Sequence, residues 1–433
     1  MKIGIVGSGI AGNVVAYYLC QDHQITVFEA NDYIGGHTHT HDVEWEGQRY
    51  PVDTGFIVFN FKTYPRFTQL LKELNVQVQP TSMSFSVKCE RTGLEYNGTS
   101  LNSLFAQRRN LFRPSFYRMI KDIIRFNREA PTLLESESAD MSLGEYLSEN
   151  RYSREFLEHY LIPMGSAIWS SDPSQLSSMP AHFLIRFFHN HGMLSVHNRP
   201  AWYVVKGGSK EYVRKLTTNY RRRLRVNTPV ESITRHPEAV VIKTRNLPPE
   251  QFDYVFIATH SDQALQLLSD PLPAERDVLS AIPYQKNEAV LHTDHRVLPT
   301  RRLAWASWNY HLQREQVSSV PVTYNMNILQ GIEAPVQFCV TLNNSLAVDP
   351  NKVIKRITYH HPFFTSKAVA AQQRQAEING TKRTYYCGAY WRFGFHEDGV
   401  VSALNALEHF RRRRGHAQLS LRGAGSTPAH CAP

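Results

Sequence analysis

Eleven residues near the N-terminus, KIGIVGSGIAG, restrict the fold more than any other stretch of this chain. Ile3 to Val6 is a short apolar run of the kind that forms a buried strand, and Gly7-x-Gly9-x-x-Gly12 follows at once. NVVAYYLC then reads as helix, and ITVF is a second apolar run that ends on Glu29. Strand, glycines, helix, strand and acid stand in the order of a dinucleotide-binding βαβ unit. Gly7 makes the tight turn, Gly9 lets the backbone approach a pyrophosphate, and Gly12 permits close packing of helix on strand. The pyrophosphate then rests on the helix N-terminus, where first-turn N–H groups such as those of Ile10 and Ala11 favour an anion. Glu29, followed by Ala30, is placed to accept hydrogen bonds from the adenosine ribose.

The next segment, GGHTHTH (35–41), alternates His37, His39 and His41 with threonines. On a strand the three imidazoles would share one face, as a metal site requires. No converging cysteine or carboxylate spacing supports such a site, which needs three or four ligands. Its place just after Glu29 assigns the segment to the phosphate end of the nucleotide instead, with Gly35 and Gly36 as the signal; no metal is expected.

The net charge of +10 suggests nucleic acid until it is located: residues 411–433 hold five arginines and no acid. That tail, rich in Gly, Ala, Ser and Pro, reads as disordered, the rest is mildly basic, and no nucleic-acid partner is expected. Five scattered cysteines fit a reducing cytoplasm rather than a disulfide framework. No apolar run approaches the ~18–20 residues of a membrane span, and no cleavable signal segment is read at the N-terminus.

VFEAND, YIGGHTHT and VDTGFIVFN together resemble the FAD-dependent flavoprotein superfamily of monoamine oxidases, protoporphyrinogen oxidase and phytoene desaturases. In that superfamily the ribose acid is followed by a glycine doublet and usually an arginine near the flavin phosphates; here Gly35 and Gly36 match, and His37 stands in the arginine's place. Gly55 belongs to the same stretch. LRVNTPVESITRHPEAVVIKT resembles the hairpin that holds adenine near Val230, and FDYVFIATHSDQALQLL places Ala258 at a strand's C-terminal end. YYCGAYWRFGFHEDGVVSALNAL resembles the closing flavin motif, which implies cofactor contacts from Gly388, Asp398, Gly399 and Val400. Gly399 and Val400 are read as opening its helix, with Asp398 either an N-cap or a partner of the ribityl or phosphate groups. ATHSDQAL, LHTDHRVLP, WASWNY, TYNMNILQ and CGAYWRFGFHEDG narrow the resemblance to bacterial NAD/FAD-binding proteins often encoded beside cyclopropane-fatty-acid synthases.

The resemblance implies an α/β chain: a Rossmann-type FAD-binding domain of the GR2-like, amine-oxidase-like kind with an interleaved α+β substrate domain. The cofactor domain is expected from 1–75, 205–275 and 376–410, the substrate domain from 76–204 and 276–375. The implied activity is an FAD-dependent oxidoreductase moving hydride from an apolar substrate, a lipid acyl chain or otherwise an amine, to flavin N5. A flavin-dependent isomerase or mutase, or a non-redox flavoprotein partner of a lipid-modifying enzyme, is the alternative. Lys286 and His396 are the catalytic candidates, each weighed against a plain structural role. Trp305, Trp308, Tyr324 and Trp391 are candidates for lining the substrate cavity, with core packing as the competing role. Segment 101–130 carries seven basic residues and two acids among Phe, Leu and Ile. It fits either a solvated helix pair or peripheral contact with an anionic inner membrane face.

Overall fold

The computed structural model describes residues 1–135, 141–170, 172–195, 199–314 and 321–413. Strand β1 (Lys2–Val6), helix α1 (Ile10–Leu19) and strand β2 (Gln24–Phe28) form the opening unit. Strands β3 (Leu224–Arg225), β4 (Tyr254–Ile257) and β5 (Thr384–Tyr386) complete a parallel sheet in the order β3-β2-β1-β4-β5. Its strands are apolar without alternation because both faces are covered. Helix α2 (His396–Arg412) packs with α1 on one face, and an antiparallel meander, Val230–Arg235, Val240–Thr244 and Leu247–Phe252, packs on the other.

A seven-stranded sheet forms the second layer, in the order Val353–Pro362, Tyr284–His292, Cys339–Leu342, Val322–Asn325, Trp308–Leu312, Phe85–Cys89, Leu94–Asn97. The hairpin Thr40–Trp45/Gln48–Asp53 sends Val43 and Val52 into the same core as Ala289, Leu291 and Val340 of that sheet. Helices Pro114–Glu129, Leu143–Glu149, Ile162–Trp169 and Ala181–Asn190 build a separate aromatic core around Phe126, Phe156 and Phe188. Helix α2 continues through Arg411 and Arg412, which the sequence placed in the tail; 414–433 lie outside the described residues. The four described cysteines are buried and form no disulfide, and no described helix is long and apolar enough to cross a membrane.

One buried ion pair ties three elements together. Arg235 of the meander, its side chain fully buried, donates to Glu275 at 2.5 and 2.8 Å and to Asp270 at 3.0 Å. Tyr386 of β5 donates to the same Glu275 at 2.7 Å. Removing one partner of such a pair leaves an uncompensated charge. Glu275→Gln is expected to cost about 3–5 kcal/mol, read as a lower urea midpoint with an unchanged m value.

Candidate flavin site

The three glycines of the opening turn differ in what surrounds their missing side chains. Gly7 has φ +99°, and a Cβ there would stand 2.9 Å from the carbonyl oxygen of Ala258 at the end of β4. A Cβ on Gly12 would stand 2.0 Å from the oxygen of Gly7, so only glycine lets α1 rest on the turn. At Gly9 nothing lies within 4 Å. No side chain caps α1 at Gly9, which leaves the first-turn N–H groups, Ile10 and Ala11 included, facing that space. An uncapped helix N-terminus beside an open backbone cradle fits a pyrophosphate. Gly36, φ +60°, closes against Gly9 from the other side, its Cβ position 3.0 Å from the Gly9 Cα. Gly55 is pressed as tightly on the His37 carbonyl, at 2.0 Å.

Glu29 is buried and accepts four bonds: from Ser8 N and Oγ at 2.9 and 2.6 Å, and from Asn31 N and Nδ2, both at 2.9 Å. The two side-chain donors can rotate away, leaving room for ribose hydroxyls. Ala30 beside it is exposed, and Asn227 and Thr228, just before Val230, donate backbone bonds to Asn31 and Glu29. The adenosine-end residues are thus gathered at one strand end.

His37 does not replace an arginine's charge. Burial, with His260 beside it, pushes its imidazole down to about 3. The ring lies 5.1 Å from Tyr359, 5.4 Å from His361 and 6.0 Å from His260, and its Nε2 has no partner. His39 turns elsewhere, stacking on Tyr33 at 3.8 Å beside His41 at 4.1 Å, so the trio does not converge.

The closing helix begins one turn earlier than its glycine suggested. α2 starts at His396, and Gly399 N already donates to Phe395 O at 3.1 Å. The unsatisfied first-turn donors therefore belong to His396, Glu397 and Asp398, not to Gly399 and Val400. Asp398 reaches back to accept Phe395 N at 2.9 Å, so it caps the helix from its third residue; burial pushes it up to about 7. Glu397 caps a second helix, Pro65–Glu73, by accepting Arg66 N and Phe67 N at 3.0 and 2.8 Å. His396 is stacked on Phe56 at 3.5 Å, and its Nε2 bonds Thr38 and Tyr212, each at 2.9 Å. This is a structural tie, and burial holds the ring well below its ordinary value. Gly388, at the end of β5, donates to Ser402 of the helix at 2.9 Å.

Lys286 faces solvent, which corrects its candidacy: the strand's two-residue alternation buries Asn287 instead. Asn287 Nδ2 bonds His361 Nδ1 at 3.1 Å, on the His37 side of the cluster. A residue the sequence reading passed over, Asp53, ties its own hairpin to the start of helix Lys210–Leu216 and to the end of helix Met326–Leu329. It accepts from Thr40 Oγ1 at 2.5 Å and from Ser209 N and Oγ and Gln330 Nε2, all at 3.0 Å.

Residues 10–315, well over half the chain, match the family of flavin containing amine oxidoreductases. The chain belongs to that family. Its cofactor is FAD, and it is an FAD-dependent oxidoreductase. Among solved structures it resembles cyclohexylamine oxidase from Brevibacterium oxydans IH-35A at a TM-score of 0.69 and 14% identity, over 95% of this chain and 99% of that one. A CLA-producing fatty acid isomerase from P. acnes gives a TM-score of 0.67 and 16% identity, over 94% and 98%. Putrescine oxidase bound to putrescine gives 0.66 and 12%, over 95% and 99%. At these identities the likeness is one of fold. No curated protein sequence matches significantly.

In this flavoprotein the four aromatics expected along the cavity do not form one wall; only Trp308 and Tyr324 meet. Trp391 lies in the core under the parallel sheet with Val255 and Leu279, its Nε1 unpartnered. Trp308 packs on Tyr324 at 5.2 Å between the two sheet-side cores. Trp305 ends a short helical turn rather than lying on the strand, and donates Nε1 to Pro299 O at 2.7 Å. The aromatic cluster that does form packs Phe183 and Phe187 of helix Ala181–Asn190 against Phe364, Phe393 and Phe395, ring centroids 4.9–5.6 Å apart where they pair, and Phe393 and Phe395 of it reach a cavity. The four-residue spacing in AHFLIRFF was the available signal. Beside the first turn of α2 opens a cavity of about 320 Å³, walled by Tyr64, His191, Phe393 and Phe395 and rimmed by Lys62, His189 and Arg392.

Two outcomes follow. Gly9→Ala should keep the fold and weaken FAD binding by about tenfold or more, whereas Gly12→Ala should cost at least about 3 kcal/mol of stability. Equal FAD affinity in Gly9→Ala and wild type, by fluorescence titration, would refute the cradle. Burial holds His37 and His361 at about 3 and His39, His191, His260 and His292 at about 4. Each takes up a proton more readily in the unfolded chain, so its stability contribution is lost as pH falls from about 6.5 toward those values. Asp53 and Asp398, pushed up to about 7, and Glu397, also raised, act with the opposite sign. The imidazoles outnumber them, so the urea midpoint should drop between about pH 7 and pH 5, less steeply in His37→Gln.

Proposed function

We propose that the chain oxidises an apolar substrate with an anionic end, a lipid acyl chain in preference to an amine. The charge of the cavity beside α2 carries this reading. Its walls are aromatic and its rim holds Lys62 and Arg392, while its two carboxylates are already engaged, Glu397 with backbone N–H groups and Asp398 with Phe395 N and with Arg392 at 3.6 Å. An ammonium group would meet Lys62 and no carboxylate free of a partner, Asp398 being held by Phe395 N and Arg392; a carboxylate or phosphate would meet complementary charge at Lys62 and Arg392. When bound, FAD supplies the acceptor for hydride. The chain's own part is to hold the pyrophosphate at the Gly9 turn and to orient the closing segment through the caps of Asp398 and Glu397. Tyr64, Phe393 and Phe395 keep water from the apolar part of the substrate, with Phe183 and Phe187 packed behind the two phenylalanines.

A second reading, isomerisation of the acyl chain without net oxidation, is favoured by the fold shared with a fatty acid isomerase. Anaerobic mixing separates the two. Oxidation predicts stoichiometric bleaching of the flavin's visible band by an acyl phospholipid or fatty acid, and none by alkyl amines. Isomerisation predicts product with no lasting bleaching. Arg392→Gln should raise KM for an anionic acyl substrate about tenfold with little change in kcat, since one charge-assisted contact is removed. Bleaching by amines but not by acyl substrates would overturn the proposal.

A further inference from the structure

Of the eleven large apolar side chains that the described protein exposes, five fall between residues 101 and 124: Leu101, Leu111, Phe112, Tyr117 and Ile124. A sixth, Leu303, stands on the turn Arg302–Ala304, which packs beside Leu101–Leu104. Single exposed hydrophobes are ordinary, but such a concentration is not. Phe112 is 87% exposed and Leu101 78%, so neither is a core residue that merely shows an edge.

The helix Pro114–Glu129 gives this surface its order. Phe116, Met119 and Phe126 face the core, and Asp122 is buried, accepting Ser153 N at 2.7 Å. Tyr117, Lys121, Ile124 and Arg128 are exposed at spacings of four, three and four, which puts them on one outward stripe. The charges are of one sign. Arg108, Arg109, Arg113 and Lys121 form no ion pair among the described residues; Arg118 pairs with Glu155, and Arg125 and Arg128 with Glu129. The segment's two acids are thus buried or paired.

We propose that this face docks on a bilayer containing anionic phospholipid. Leu101, Leu111, Phe112 and Ile124 would enter the boundary between headgroups and acyl chains, with the unpaired arginines and Lys121 at the phosphates. A second copy of the chain is disfavoured as occupant because it would set cations against cations. Nucleic acid would meet the charge but leave Leu101, Leu111 and Ile124 without an apolar phase, since aliphatic side chains offer bases no stacking surface. The inference holds whichever substrate the flavin site takes.

Co-sedimentation of the full-length, FAD-loaded protein with vesicles tests it. Binding is expected to phosphatidylcholine vesicles that include phosphatidylglycerol, at low salt, and to weaken with added salt and without the anionic lipid. Phe112→Ser with Ile124→Ser, and separately Arg108→Gln with Lys121→Gln, should each weaken binding about tenfold or more while the flavin spectrum and urea midpoint stay unchanged. No binding to the anionic vesicles at low salt would overturn the proposal. So would undiminished binding by both double variants, the result expected if the arginine-rich C-terminus alone adsorbs or if this face belongs to a protein or nucleic acid.

Discussion

A carbonyl oxygen occupies the place where residue 12 would carry a methyl group: the Cβ position of Gly12 is 2.0 Å from Gly7 O. That one contact sets the height of α1 above β1, and the remaining elements of the cofactor site are measured from it. Gly7 is held in its turn by donating to Phe28 O of β2, while Ala258 at the end of β4 donates to Val6 O. Gly36 then seals the far side of Gly9. Three chain segments meet here so closely that Cβ atoms at Gly7, Gly12 and Gly36 would stand 2.0–3.0 Å from backbone atoms of Ala258, Gly7 and Gly9. The open space at Gly9 is what their closeness leaves, so the cradle is produced by backbone packing rather than by any side chain that binds.

Around this turn the joints between layers are carboxylates that accept from backbone and side-chain donors far away in the chain. Asp53 links the Thr40 hairpin, the Ser209 helix start and Gln330; Glu397 caps a helix some 330 residues earlier in the chain; Glu275 joins Arg235 and Tyr386. Burying a carboxylate costs several kcal/mol unless its oxygens are satisfied, and each of these is. The arrangement explains how the five-stranded parallel sheet takes its strands from three separated stretches of the chain and is still continuous in space. Its pieces are held by polar contacts that have strict geometry, so the insertions cannot slide relative to the sheet.

The same division governs what could be read from the chain. The opening βαβ unit was legible because its strand, turn, helix and acid lie within thirty residues, and each glycine's task follows from local geometry. His37 and His396 were not, because their partners arrive from elsewhere: His37 meets residues 260, 359 and 361, and His396 meets Phe56 and Tyr212. The start of α2 was misplaced for a related reason: Asp398 reads as a cap that precedes a helix, yet it caps from inside by reaching back to Phe395. Lys286 differs from Asn287 by one position, and in a strand one position is the difference between solvent and core. Large aromatics are the least informative of all from sequence, since Trp391 and Phe393 lie two apart and enter different cores.

Neutrality near the nucleotide and charge at the periphery form one pattern. The cluster of His37, His260 and His361 is uncharged at neutral pH because burial makes an imidazolium expensive there. Anion recognition at the turn is left to oriented N–H groups, which carry no desolvation penalty of their own once the helix has formed. Exposed cationic side chains, Lys62 and Arg392, stand instead at the cavity rim, and Arg108 and Lys121 on the outer face of 101–128. A charge at the rim attracts an anionic headgroup without following the acyl chain inward, where it would have to shed its water. With both sets of cations placed for phosphate and both apolar surfaces placed beside them, the proposed substrate and the proposed membrane face make the same physical demand on the chain: bind an amphiphile by its two ends, charge in water and carbon away from it.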